Sequence, residues 1–164
     1  MDSFEKIYTR AITFLSYRPR SEKEVRDKLI GKTSRKRKEY VDEEVVEQVI
    51  EKLKRQKFIN DTDFAKMWIE QRIRFKPRSV RVIKRELKQK GISNELIEAQ
   101  ISNFQFPISN ELEMAKQLVQ KRIKRYRNLS RQEIYQKLGR FLASKGFDWD
   151  TIKTAIDSLI TEEV

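Results

Sequence analysis

The chain has 164 residues, of which 37 are Lys or Arg and 25 are Asp or Glu, so its formal net charge is +12. It contains neither Cys nor His, which excludes disulfides, thiol nucleophiles, imidazole acid–base catalysis and histidine metal ligands. With four Gly, three Pro and no long apolar run, the composition argues against turn-rich β folds, phosphate-cradling loops and a membrane-spanning segment.

Apolar residues recur at helical spacing along almost the whole chain. One stretch places them at Phe64, Ala65, Trp68, Ile69 and Ile73. That spacing is typical of a helix with one apolar face, and strict alternation is absent. The sequence therefore predicts an all-α protein.

The first predicted unit covers residues 4–57 and contains three helices. Pro19 ends the first helix, Ser21 is the expected N-cap of the second, and Asp42 is the expected N-cap of the third. A basic insertion at residues 31–40 separates the second helix from the third.

The same pattern returns over residues 60–105 and 110–161. Ser79 and Ser130 take the place of Ser21, and each is followed by a β-branched residue at the fourth position. The third helices of these units are expected to begin at Ser93 and Asp148. The sequence thus predicts three tandem three-helix repeats.

Two glycines are expected to close the second helices of the later repeats. Gly91 and Gly146 suit the left-handed position after a helix C-terminus. The second helix of the last repeat is longer by about one turn, which preserves its apolar face. Because a unit of about fifty residues buries few apolar positions, we expect the repeats to stack into an elongated, curved body.

The positive charge is concentrated in part of each repeat. Residues 66–90 carry ten Lys or Arg against only Glu70 and Glu86, whereas the third helices are acidic. A basic surface of this kind predicts a polyanionic partner, either nucleic acid or an acidic protein groove. Two simpler interpretations are a chain kept soluble by its Lys and a solvated face whose charges suit the helix dipoles.

A helix-turn-helix that reads the major groove is rejected because the would-be recognition helices at 93–104 and 148–159 are acidic. Three aromatic residues next to arginines, Tyr17, Phe75 and Tyr126, either stack on nucleic-acid bases or cover the core between helices, and we favour the second role.

No catalytic constellation is visible in the sequence. Asp61 and Asp63 form an acidic pair that in isolation suggests a metal site, but together with Asn60 they suit the start of a helix as cap and dipole partners. We therefore predict a protein that is not an enzyme and has no metal or other cofactor.

Three motifs resemble those of the bacterial RecX regulatory proteins, in order and over almost the whole chain. The first is Arg18-Pro19-Arg20-Ser21-x-x-Glu24-Val25-x-x-Lys28-Leu29. The second is Phe58-Ile59-Asn60-Asp61-x-x-Phe64-Ala65, followed by Trp68, Arg72, Arg81 and Leu87-x-x-Lys90-Gly91-Ile92. The third is Phe141-Leu142-x-x-Lys145-Gly146-Phe147. Pro77 departs from the pattern, since a glycine is expected in that turn.

The resemblance implies a regulator of the RecA recombinase. Such proteins bind along the groove of the RecA–DNA filament or block its growth, and so restrain ATP hydrolysis, co-protease activity and strand exchange in recombination and the SOS response. They also bind single- and double-stranded DNA weakly, and they act in the cytoplasm without a catalytic site. We accordingly expect a cytoplasmic monomer with no membrane contact and no small-molecule substrate.

Arg18, Arg72 and Arg122 occupy the same position in the three repeats. They either form a ladder that faces the partner or pair with acids of the third helix, such as Glu47 or Glu98. The other candidate contacts with DNA or the filament are basic side chains of the three repeats: Arg20, Lys32, Arg35, Lys36, Arg37, Lys38, Arg74, Lys76, Arg78, Arg81, Lys84, Arg85, Lys124, Arg125, Arg127 and Arg131.

Two other functions stay open at this point. The first is a helical protein that binds DNA or RNA without sequence preference and has no recombinase partner. The second is a scaffold for acidic proteins.

Overall fold

The computed structural model describes residues 3–31, 41–104 and 111–160. Within these ranges the regular structure is helical and no strand occurs, so the predicted all-α class is confirmed. The α-helices are α1 (Ser3–Ser16), α2 (Glu22–Leu29), α3 (Glu43–Arg55), α4 (Asp61–Arg74), α5 (Val80–Gln89), α6 (Asn94–Asn103), α7 (Glu111–Ile123), α8 (Arg131–Ser144) and α9 (Trp149–Ile160). A short 3₁₀ helix, Lys124–Tyr126, follows α7.

The predicted N-caps of these helices are confirmed. Ser21 accepts a hydrogen bond from the backbone N–H of Glu24, whose carboxylate in turn accepts from the Ser21 N–H. Ser130 and Glu133 form the same reciprocal pair. The hydroxyl of Ser79 accepts from the Val82 N–H at 3.3 Å. Each cap satisfies backbone donors that the first helical turn leaves unpaired.

The caps of four further helices, α3, α4, α6 and α9, follow the same rule. Backbone N–H groups two or three residues on donate to side-chain oxygens of Asp42, Asn60, Ser93 and Asp148. Asn60 is thus the cap of α4. Asp61 also accepts a hydrogen bond, at 2.8 Å from the backbone N–H of Glu22.

The turns after α5 and α8 contain the glycines that the sequence predicts there. Gly91 has φ +81° and Gly146 has φ +91°, in the region that residues with a Cβ rarely adopt. Helix α8 has 14 residues against 10 in α5, so the expected extra turn is also present.

The described residues divide into two compact units. Unit 1 draws on Met1–Met67 and Leu87–Ile97, and unit 2 on Trp68–Glu86 and Glu98–Val164. In unit 1, helices α1, α2 and α3 enclose an apolar core centred on Ala11, Val25, Leu29, Ile50 and Leu53. In unit 2, helices α7, α8 and α9 enclose a second core. No described helix has both the length and the apolar character needed to cross a bilayer.

Candidate nucleic-acid interface

The arginines repeated at equivalent positions are held by neighbouring side chains. An Nη of Arg18 lies 2.8 Å from a carboxylate oxygen of Glu24, and Nε of Arg72 lies 2.6 Å from Glu86. Both acids belong to the second helix of a repeat, α2 and α5. The prediction that these arginines pair with acids of the third helices, such as Glu47 or Glu98, was wrong. Glu47 pairs with Arg26, and Glu98 pairs with Lys84.

The third member of this set, Arg122, contacts aromatic side chains. Its guanidinium carbon lies 4.1 Å from the centre of the Phe141 ring, and its Nε donates to the Tyr126 hydroxyl at 3.1 Å. Phe141 is the first residue of the third motif and lies five residues before Gly146, as Glu86 lies five residues before Gly91 in the second repeat. An aromatic ring therefore replaces the carboxylate, and no carboxylate of a described residue lies within 4.0 Å of Arg122.

The Arg72 side chain is only 15% exposed and lies over the Trp68 ring at 4.5 Å, while the Trp68 indole N–H also donates to Glu86. We expect Arg72→Met to lower the free energy of unfolding by about 1–3 kcal/mol, because the half-buried Glu86 loses its charged partner.

The matched control for this substitution is Arg74→Met. Arg74 also pairs with an acid, Glu70, but its side chain is 66% exposed, so we expect a change within about 0.5 kcal/mol. Urea unfolding measures both variants. Arg72→Met with unchanged stability and weaker DNA binding would instead favour a role for Arg72 in the partner contact.

Glu24 is the centre of an ion cluster in unit 1. Besides Arg18, its carboxylate contacts Lys90 Nζ at 2.7 Å and Arg20 at 3.9 Å. Partial burial acts to raise the pKa of Glu24, but hydrogen bonds from Arg18, Lys90 and the Ser21 N–H outweigh it and lower this pKa to about 2. Arg18 is therefore held by a carboxylate of its own chain, while Arg20 makes only the longer contact with that carboxylate.

Arg20 also lies over the Phe14 ring, with its guanidinium carbon 4.1 Å from the ring centre. Partial burial and the charge of Arg18 lower the pKa of Arg20, while Glu24 opposes them. Both arginines line an open cleft of about 590 Å³ in unit 1, together with Tyr17 and Phe58.

Two of the three flanking aromatics do not cover a core. Tyr17 is 79% exposed and Phe75 is 76% exposed, because each follows the last residue of a helix and projects from a turn. The core interpretation is wrong for these two. It is confirmed for Tyr126, which packs against the core of unit 2.

Exposed cations gather where α7 passes into α8. Lys124, Arg125, Arg127 and Arg131 are all exposed, and none of them lies within 4.0 Å of a carboxylate of a described residue. Arg131 is the first residue of α8, where the helix dipole disfavours a cation. This position is thus not explained by helix stability.

The other candidates differ in their surroundings. Lys76 and Arg85 are exposed, while Lys84 contacts Glu98 at 2.7 Å. Arg78 donates to the Ser144 carbonyl oxygen at 3.1 Å, and Arg81 donates to the Gly146 carbonyl oxygen at 3.2 Å. Five candidates lie outside the described residues: Lys32, Arg35, Lys36, Arg37 and Lys38.

One basic residue near Arg78, Arg81 and Arg122 was missing from the candidates chosen by sequence. Lys145 Nζ lies 5.4 Å from the centre of the Phe141 ring. The signal that could have found it is the repeated Lys-Gly pair, Lys90-Gly91 and Lys145-Gly146.

Comparison with known proteins gives concordant results. Models of the first, second and third three-helix domains of RecX match residues 8–34, 60–99 and 109–156. Regulatory protein RecX of Oceanobacillus iheyensis is 33% identical over 99% of this chain, and that of Bacillus subtilis is 35% identical over 96%. The chain spans only 56% of the length of either relative. A crystal structure of RecX from Lactobacillus salivarius superposes with a TM-score of 0.74 and 29% identity, covering 98% of both chains.

Proposed function

The chain belongs to the RecX family, and from this membership we propose that it regulates the RecA recombinase by binding the RecA–DNA filament and inhibiting its ATPase, co-protease and strand-exchange activities. DNA and the recombinase are its partners, and it acts in the cytoplasm without catalysing a reaction. The three predicted repeats, 4–57, 60–105 and 110–161, serve as successive attachment points. Modest contacts in each repeat then add as avidity.

The observation that supports this proposal beyond family membership is the exposed cationic segment Lys124–Arg131. Its basic side chains, Lys124, Arg125, Arg127 and Arg131, are exposed and have no carboxylate within 4.0 Å among the described residues. Arg131 also lies where the helix dipole disfavours a cation. Such charges are available to the phosphates of filament-bound DNA, and each contact releases counterions. Binding is therefore strongly salt-dependent.

The test measures RecA-dependent ATP hydrolysis on single-stranded DNA with this protein at sub-stoichiometric amounts, at about 50 and about 200 mM salt. We expect inhibition well below one protein per recombinase at low salt. Replacing Arg125, Arg127 and Arg131 together by Gln should raise the concentration needed for inhibition about tenfold, because three phosphate contacts are lost.

The control removes the same charge elsewhere, with Lys6, Arg55 and Lys153 replaced by Gln. These side chains are also exposed. If the position of the charges matters more than the net charge, the concentration needed for inhibition should change by less than about twofold. Inhibition that appears only when DNA is saturated would contradict the proposal. That result would favour a nucleic-acid-binding protein without a recombinase partner.

A further inference from the structure

Two cations of unit 2 lie beside the Phe141 ring, and a third, Arg78, binds the backbone at the end of α8. Arg122 and Lys145 lie 4.1 and 5.4 Å from the ring centre. Arg78 donates to the carbonyl oxygen of Ser144, the residue before Lys145. These side chains, called here the Arg78–Arg122–Lys145 cluster, come from three separate segments that the fold brings to the end of α8.

Within the part of the chain that the structure describes, no carboxylate lies within 4.0 Å of these three side chains. All three are partly buried. Partial burial, followed by the charges of Arg78 and Arg122, lowers the pKa of Lys145. Like charges held together away from bulk water repel each other, and an anion would remove that repulsion.

The equivalent place in unit 1 contains such an anion. Three residues after the cap Ser21 comes Glu24, whose carboxylate contacts Lys90 of the Lys-Gly turn. Three residues after the cap Ser79 comes Val82. The side chain of Val82 lies against Gly146, next to Lys145. Unit 2 therefore has Arg78 and Lys145 at the sequence positions of Arg20 and Lys90, and it lacks the carboxylate that Glu24 provides in unit 1.

Carbonyl oxygens at the end of α8 do not substitute for that carboxylate. Arg78 gives one N–H to Ser144 O, and a guanidinium has five N–H donors. A carbonyl also carries no full negative charge, so the cluster keeps its positive charges. The bonds to backbone orient Arg78 and leave donors for a further ligand.

We propose that the Arg78–Arg122–Lys145 cluster binds a backbone phosphate of nucleic acid, in the place that the Glu24 carboxylate has in unit 1. This inference rests on the proposed function and assigns one of its DNA contacts. Two guanidinium groups and an ammonium suit the two non-bridging oxygens of a phosphodiester, which share one negative charge. A ligand with repeated negative charges also fits the uncompensated cations of Lys124–Arg131 in the same unit.

The test supplies the missing carboxylate. Val82→Glu places an acid beside Lys145, and Val82→Gln is the uncharged control of the same shape. Binding of the full chain to a fluorescent oligo-dT is measured by anisotropy without recombinase, between about 50 and about 200 mM salt. We expect Val82→Glu to weaken binding about tenfold and to reduce the salt slope by one to two phosphate contacts, about 0.7–1.4. Val82→Gln should stay within about twofold.

A second pair of variants removes the cations, with Arg78→Gln and Lys145→Gln measured alone and together. Thermal unfolding verifies that each variant is folded. An abasic oligomer of equal length should bind like oligo-dT and lose affinity in the same variants, since the ligand is the phosphate. Polyglutamate of equal length is the probe for an acidic protein ligand. It should bind more weakly than oligo-dT, and its affinity should change less in these variants.

Equal affinity and an equal salt slope for folded Val82→Glu and wild-type protein would overturn the proposal. So would polyglutamate that binds as tightly as oligo-dT and responds equally to the variants, which would identify an acidic protein as the ligand. Inhibition of the recombinase is measured separately, because it tests the proposed function and not the phosphate site. If the cluster binds DNA but ATP hydrolysis by RecA is unaffected, the proposed function fails and this assignment remains.

Discussion

Gly146→Ala should cost about 3 kcal/mol of unfolding free energy, a large part of the stability of an ordinary domain. Gly146 has φ +91°, and a Cβ built there would lie 2.2 Å from Val82 Cγ2 and 2.7 Å from Ser79 Oγ. The substitution thus combines backbone strain with a steric clash. Ser79 cannot yield easily, because its N–H donates to the Lys145 carbonyl oxygen at 3.0 Å.

Two other glycines separate these contributions. Gly31 also has a positive φ, +78°, but a Cβ there meets no atom within 4 Å, so Gly31→Ala should cost only about 1 kcal/mol of strain. Gly139 lies inside α8 with ordinary helical backbone, and a Cβ built there meets no atom within 4 Å. Gly139→Ala should therefore stabilise the protein by about 0.5–1 kcal/mol. Urea unfolding of the three variants measures the order of these changes in unfolding free energy. A cost for Gly146→Ala no larger than that for Gly31→Ala would contradict the close packing around Gly146.

Glu24→Gln should lower the free energy of unfolding by about 2 kcal/mol at neutral pH. The amide keeps the shape of the side chain but leaves Arg18 and Lys90 without their shared carboxylate. Glu98→Gln is the control, because Glu98 also pairs with a lysine but its side chain is 61% exposed. That change should cost less than about 0.5 kcal/mol.

The effect of Glu24→Gln should depend on pH in a defined direction. The pKa of Glu24 falls from an ordinary value of 4.5 to about 2 in the folded protein. Its carboxylate therefore contributes full stability above pH 4.5, and this contribution is lost as the pH falls toward 2. The difference in unfolding free energy between wild type and Glu24→Gln should shrink over that window. A difference that is constant with pH would contradict a contribution from the Glu24 charge.

The repeats, their caps and their closing glycines could be predicted because these features depend on local sequence. Ser21, Ser79 and Ser130 cap helices through bonds from residues three positions away, and the left-handed backbone at Gly91 and Gly146 is a local requirement. Periodicity likewise identified the buried faces. Hydrophobic spacing specifies which side of a helix is covered.

The partners of the arginines could not be predicted in the same way. An arginine side chain is long enough to reach acids on several neighbouring helices, and periodicity does not say how those helices cross. Arg18 and Arg72 consequently bind acids of α2 and α5, where the third helices had been expected. Tyr17 and Phe75 follow the ends of helices, so no helical face was available from which to infer their exposure.

The second helices of the first two repeats each take part of their N-terminal capping from the repeat that follows. Asp61 accepts from the Glu22 N–H at 2.8 Å, and Glu111 accepts from the Val80 N–H at 2.7 Å. The residues that stabilise one repeat thus include the first helix of the next repeat. During evolution, duplication or deletion of a whole repeat would preserve both caps only where the downstream repeat has an acidic residue at the start of its first helix. That requirement restricts which copies are interchangeable.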